Sequence, residues 1–168
     1  DGTKVGDGFE QGSDLGPLQN KNQYEKVKSY IEEAKQKGNI ISGGEPLEGP
    51  GYFIPITLVK DIQDGAKLVD EEQFGPILPI IKYDDIDEVI DLSNSSKYGL
   101  GASVWSENIK KAREVAIKLE AGSVWVNQHA AIGPDIPLSG AKESGLGVEW
   151  GEEGLKEFTQ LKILNIKK

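Results

Sequence analysis

From Asn20 onward, Tyr24, Val27, Ile31 and Ala34 recur every three or four residues, with lysine and glutamate between them and Gly38 behind them. That period predicts an amphipathic helix that stops at the glycine. A short strand, Asn39 to Ser42, follows, then the turn-rich run Gly43 to Gly51, then a strand over about Ile54 to Val59. Past the middle of the chain the alternation becomes regular. A strand over Ile77–Lys82 leads to Asp84 as helix cap, with Ile86, Val89 and Ile90 on one face. Tyr98-Gly99 breaks the chain before a strand over Leu100–Trp105. Ser106 then caps a helix striped by Ile109, Ala112, Ala116 and Leu119, and Gly122 ends it before the strand Ser123–Asn127. Strand, helix, strand, helix, strand with short connections predicts two crossover units and a parallel sheet, hence an α/β fold.

The two ends read differently. Residues before Leu18 carry five glycines and one proline and predict a surface loop. From Gly151 a short helix is expected to bury Leu155 and Phe158, and Thr159 to Ile166 reads as a strand with no neighbouring partner. Unpaired strand edges invite pairing with another chain.

Composition narrows the function classes. The chain has 168 residues, 28 acidic and 19 basic, for a net charge of -9. That field repels phosphate backbones, and no basic face offsets it, so neither nucleic acid nor a membrane is expected as a partner. No apolar run approaches the roughly 18 residues that span a bilayer, and the expectation is a soluble, cytoplasmic protein. Arg113 is the only arginine, so bidentate anion clamps are scarce. There is no cysteine and no methionine. Disulfides, thiolate-ligated zinc and a thiolate nucleophile are therefore excluded from this chain. A start at Asp1-Gly2-Thr3 without methionine reads as a piece of a longer polypeptide.

Asp70-Glu71-Glu72-Gln73-Phe74-Gly75-Pro76 is the strongest candidate for chemistry. Adjacent carboxylates on an exposed loop are ordinarily solvated charge. Here an aromatic and a Gly-Pro turn follow them, and a rigid turn holds its side chains still. A carboxylate beside an aromatic face suits a sugar–base ligand, because the anion accepts the ribose hydroxyl protons and the ring covers the heterocycle. The loop Asn127 to Ser139 is a second candidate, since ligands gather beyond the carboxyl ends of parallel strands. His129 lies in it and is the only histidine, which excludes a multi-histidine metal site. Gly140 to Gly147 superficially suits a phosphate loop, but Lys142 lies between the glycines rather than after the second. It reads as a tight turn.

Four motifs in register resemble the C-terminal third of the aldehyde dehydrogenase superfamily. They are Glu71 to Pro76, Tyr98-Gly99-Leu100-Gly101-Ala102-Ser103-Val104-Trp105, Ala121-Gly122-Ser123-Val124-Trp125-Val126-Asn127, and Pro137 to Gly145. The resemblance begins at Gly16-Pro17 and covers nearly the whole chain. It implies a parallel-sheet α/β/α sandwich: residues 1–158 as the C-terminal portion of the catalytic domain and 159–168 as an oligomerisation strand. It also implies a chemistry in which a cysteine thiolate attacks an aldehyde, hydride passes to NAD or NADP, and water activated by a glutamate releases the acid.

Carried over by position, Glu72 matches the glutamate on the nicotinamide ribose and Phe74 the aromatic beside the nicotinamide. Leu100 matches a lesser contact there, and Gln23 and Lys26 match contacts to the adenosine ribose. Ile132 and Leu138 match positions that line the substrate tunnel, with His129 in the same loop. The nucleophile, the base and the dinucleotide-binding unit would lie upstream of Asp1. Leu138-Ser139-Gly140 stands where Phe-Gly-Gly is more usual, and Val148-Glu149 where Arg-Glu is frequent, which reduces the aromatic lining. The expectation is therefore part of an aldehyde-oxidising homo-oligomer, inactive by itself without the missing N-terminal part. A CoA-acylating relative and a non-catalytic assembly module are the alternatives.

Overall fold

The computed structural model describes residues 2–168, and the chain divides into two compact units, residues 1–82 and 83–168. The first unit opens with an irregular segment tied by a bridge between Val5 and Leu15. Helix α1 spans Lys21–Lys37. The Asn20 side chain caps it by accepting from the Gln23 amide, and the Gly38 amide closes its last turn onto the Ala34 carbonyl. Of the stripe read from sequence, Val27, Ile31 and Ala34 are within 2 % of complete burial and Tyr24 is half-buried; Tyr30, outside that stripe, is buried with them. Burying each valine or isoleucine there contributes about 1.5–3 kcal/mol.

Strands β1 (Asn39–Ser42), β2 (Thr57–Lys60) and β3 (Ile77–Ile80) form one sheet in that order. β1 is antiparallel to β2, and β2 is parallel to β3 with Thr57 opposite Ile77. The β2–β3 crossover carries α2, the single turn Lys67–Asp70. At Gly43, with φ +68°, a Cβ would sit 2.5 Å from the Ile56 carbonyl oxygen, so only glycine fits beside β2. Buried Thr57 is fully satisfied: its hydroxyl accepts from the Gly44 amide and donates to the Pro55 carbonyl. Ile54, Val59, Ile62, Leu68 and Ile77 complete the core against α1.

The second unit contains α3 (Ile86–Ser95), β4 (Tyr98–Gly99), β5 (Gly101–Val104), α4 (Ile109–Lys118) and β6 (Ser123–Val126). Then follow β7 (Leu138–Ser139), β8 (Ala141–Lys142), β9 (Val148–Glu149) and α5 (Gly151–Glu157). β5 and β6 pair in parallel across α4. β4 pairs antiparallel with β8, and β7 with β9. Of large side chains, only Ile90 is buried in this unit among the described residues.

The fold class is α/β, as the pattern predicts, but several details differ. The sheet of the first unit is mixed, because β1 joins it antiparallel. One crossover is as expected, β5–α4–β6; the other runs through α2, whose single turn is too short to show a helical period. β3 belongs to the β1–β2–β3 sheet and does not pair with β5. Asp85, not Asp84, caps α3 by accepting from the Glu88 amide, and Asn108, not Ser106, caps α4. Both displacements reflect neighbouring side chains of equal capping power. Leu155 and Phe158 are exposed rather than buried, and the small buried group of α5 is Gly154. Residues 159–166 form no strand within the single chain, and Leu161, Ile163, Leu164 and Ile166 are exposed.

Candidate functional site

The Glu71–Pro76 loop runs from the end of α2 to the start of β3, and α1 holds it from one side. Gln23, Lys26 and Tyr30 lie at helical spacings of three and four, so their side chains share a stripe. The Gln23 amide nitrogen donates to two carbonyls, Gln73 at 2.5 Å and Phe74 at 3.1 Å. Lys26 Nζ donates to the Glu72 carbonyl at 2.8 Å, and the buried Tyr30 hydroxyl donates to Glu71 Oε2 at 2.8 Å. Gln73 Nε2 reaches forward to the Ile77 carbonyl at 2.7 Å and ties the loop to β3. Gly75 packs directly on α1, where a Cβ would lie 2.4 Å from Val27 Cγ2.

These bonds divide the two carboxylates. Glu71 is engaged by Tyr30, whereas Glu72 is held only through its backbone, and its exposed carboxylate has no hydrogen bond or ion pair among the described residues. Phe74 has φ +50°, a left-handed conformation uncommon for an aromatic residue, and its side chain is 71 % exposed. Such a conformation costs about 1–3 kcal/mol and persists where its surroundings over-determine it. The loop thus presents a carboxylate with all its acceptor capacity and a ring with a bare face. That donor set fits a nucleoside: the anion suits vicinal hydroxyls, and the ring suits a flat base.

The second unit gathers its own candidates at the carboxyl ends of β5 and β6. Asn127, with φ +53°, joins the two strand ends: its Oδ1 accepts from the Ser106 amide and its Nδ2 donates to the Ser106 carbonyl, both at 2.8 Å. His129 Nδ1 lies 3.2 Å from Ser103 Oγ, and its ring meets the Trp125 edge at 5.7 Å between centroids. Trp125 Nε1 donates to the Ala131 carbonyl at 2.9 Å, which anchors the loop beneath Ile132. Ile132 is exposed, Leu138 is half-buried in β7, and Leu100 is 54 % exposed between β4 and β5. The region Gly140–Gly147 is no phosphate cradle. Lys142 spends its ammonium on the Asn94 and Ser96 carbonyls at the C-terminal end of α3, and on Glu120 at 3.1 Å. Among the described residues no three His, Asp or Glu side chains are grouped to hold a metal, and no helix is long and apolar enough to cross a membrane.

The family model for the aldehyde dehydrogenase family matches residues 1–164. The chain belongs to the aldehyde dehydrogenase family. It is 41 % identical over 161 residues to a putative aldehyde dehydrogenase, DhaS, of Bacillus subtilis, covering 95 % of this chain and 32 % of that protein. It is 40 % identical to the mitochondrial aldehyde dehydrogenase of Equus caballus over 97 % of this chain and 33 % of the relative. Among solved structures, the NAD+ complex of an aldehyde dehydrogenase from Bacillus cereus superposes with a TM-score of 0.91 at 40 % identity, covering 98 % of this chain and 34 % of that one. The chain thus spans about a third of the length of the relatives it matches.

Within this aldehyde dehydrogenase chain, the structure groups Gln23, Lys26, Glu72 and Phe74 in the first unit, and sets His129 beside Ser103 and Trp125 in the second. Gln23 and Lys26 direct their polar ends to loop carbonyls. Sequence reasoning missed Tyr30, Gln73 and Asn127. Tyr30 was findable, since it lies four residues beyond Lys26 on the same stripe and is the one polar group in a buried row. Asn127 acts through paired bonds to Ser106, twenty-one residues earlier, and Gln73 through a bond to the Ile77 carbonyl in a loop; neither leaves a periodic trace.

Proposed function

We propose that the polypeptide carrying this chain oxidises an aldehyde to a carboxylic acid with NAD or NADP, and that these residues form its C-terminal portion. The observation that carries this reading is the division of the Glu71-Glu72 pair: one carboxylate is tied to the protein, and the other is left open beside an exposed ring on a clamped loop. Glu72 would accept the nicotinamide ribose hydroxyls and Phe74 would lie beside the nicotinamide. When bound, the dinucleotide supplies the hydride acceptor. Rigid placement of that acceptor turns hydride transfer into a reaction between pre-aligned partners, which is where positioning residues exert their effect. Ile132, Leu138 and His129 would line the aldehyde path; the aliphatic pair offers apolar contact without a charged selector.

With no cysteine, this chain cannot itself supply the thiolate nucleophile, and by itself it is expected to produce no reduced cofactor from any aldehyde. Residues 159–168 would serve as an assembly strand, supported by the exposed side chains of Leu161, Ile163, Leu164 and Ile166. Light scattering on the chain should show self-association that truncation after Phe158 reduces; a strictly monomeric species at high concentration would contradict it.

The decisive variant is Glu72→Gln in the polypeptide that carries this chain. Losing a charge-assisted hydrogen bond of about 1.5–3 kcal/mol lowers kcat/KM for aldehyde-dependent cofactor reduction roughly 10- to 150-fold. Turnover equal to that of the parent would refute the assignment.

A further inference from the structure

We infer that Tyr30 is a positioning residue: its buried hydroxyl pins the Glu71 carboxylate and so determines that Glu72, and not its neighbour, is the carboxylate presented to the ligand. The inference rests on the reading of Glu72 as a nicotinamide-ribose ligand and adds to it a buried side chain that acts through Glu71.

Glu71 and Glu72 are chemically identical neighbours, and only their orientation distinguishes them. Glu71 is held at two points. Its amide donates to the Lys67 carbonyl at 2.9 Å and closes α2, and its Oε2 accepts from the Tyr30 hydroxyl at 2.8 Å. Its backbone is extended, with φ -118° and ψ 149°, and extended backbone sends successive side chains to opposite sides. Fixing Glu71 against α1 therefore turns the Glu72 side chain away from that helix, and the Glu72 side chain is exposed. Both anchors are rigid: Tyr30 is 2 % exposed and buried with Val27, Ile31 and Ala34 of α1, and Leu68 holds α2 to the same core at 3 % exposure. A phenylalanine would fill the Tyr30 space without the hydroxyl, and a buried hydroxyl requires a partner, which Glu71 supplies. Released from Tyr30, Glu71 could turn outward, and two adjacent carboxylates would then compete for one pair of ribose hydroxyls.

The test is the NAD dissociation constant of the polypeptide carrying this chain, titrated for Tyr30→Phe, Glu71→Leu, Glu71→Gln and Glu72→Gln, singly and combined. Tyr30→Phe keeps the buried ring, and Glu71→Leu removes the same bond from an exposed position, so neither result depends on the other variant folding. Each should weaken binding about 3- to 12-fold, the worth of one hydrogen bond. Glu71→Gln, whose amide oxygen still accepts from Tyr30, should return binding toward the parent value, a rescue that loss of packing alone would not produce. Tyr30→Phe combined with Glu71→Leu should be no weaker than either alone by more than about twofold, because both break one bond. Tyr30→Phe should likewise add less than about twofold when Glu72 is already glutamine. Parent-like binding in Tyr30→Phe or in Glu71→Leu overturns the inference. Full multiplication of the Tyr30→Phe and Glu72→Gln effects overturns it as well, while the reading of Glu72 stands. If Glu72→Gln alone leaves binding unchanged, that reading and this inference fail together.

Discussion

The two units of this chain solve the problem of holding a site loop by different means. The first rests on a dense core: Val27, Tyr30, Ile31, Ile54, Val59, Ile62, Leu68 and Ile77 are each at most 3 % exposed. Its loop is gripped by side chains that rise from the same helix that forms the core. In the second unit the only large buried side chain among the described residues is Ile90, while Trp105, Ile109, Ile117, Leu146 and Phe158 are exposed. Its loop depends on polar pins instead, Asn127 to Ser106 and Trp125 to Ala131. A loop referred to a packed core keeps its geometry within one folded chain. A loop held by a few surface hydrogen bonds, among apolar groups that lie open, keeps its geometry best when other protein covers them.

The contrast can be broken from its strong side first. Ile31→Ala empties a fully buried position against the sheet and should cost about 2–5 kcal/mol in urea unfolding of the chain, whereas Ile117→Ala in the second unit, 74 % exposed, should cost less than about 0.5 kcal/mol. Comparable costs at the two sites would erase the distinction. Next in size, Gly75→Ala places a methyl 2.4 Å from Val27 Cγ2, in a core with no slack. Overpacking there should destabilise the unit by about 1–3 kcal/mol and raise the exchange rates of the Glu71–Pro76 amides, since the loop must lift off α1. Smaller again, Asn108→Ala removes the α4 cap, with an expected loss of about 1 kcal/mol; Ser106→Ala should not remove it, because the cap bond to the Lys111 amide comes from Asn108.

The weakest effect concerns the surface ion pair of Lys118 and Asp87 at 2.7 Å, which links α4 to α3. The lysine lowers the Asp87 pKa, mainly through their hydrogen bond. A depressed carboxylate pKa stabilises the fold above its unfolded value, and that contribution is lost as pH falls through the folded value. Lys118→Ala should therefore slightly flatten the acid limb of a stability–pH profile and leave neutral stability nearly unchanged, as for most exposed pairs. A large change at neutral pH would show the pair to be more than a surface contact.

Periodicity made the helices and most strands legible in the sequence. Most of the α1 stripe, the Gly38 stop and the strand Asn39–Ser42 stand where the alternation put them. The single-turn α2 did not show, because four residues cannot display a 3.6-residue period, and the β2–β3 crossover was hidden with it. Burial of Leu155 and Phe158 was inferred from their apolar character alone, and an apolar face on a seven-residue helix buries only if something packs on it. For the site, the residues of the Glu71–Pro76 loop could be picked out because a turn signal follows a charge pair. The direction of the Gln23 and Lys26 side chains could not, since it depends on where α1 meets a loop about fifty residues later.

Titration of NAD into the polypeptide carrying this chain, with Glu72→Gln set against Glu71→Gln, tests the central claim most directly. The account predicts that Glu72→Gln weakens binding roughly 10- to 150-fold, while Glu71→Gln, whose amide oxygen still accepts from Tyr30, leaves it within about twofold. Loss of affinity in Glu71→Gln with parent-like binding in Glu72→Gln would contradict it.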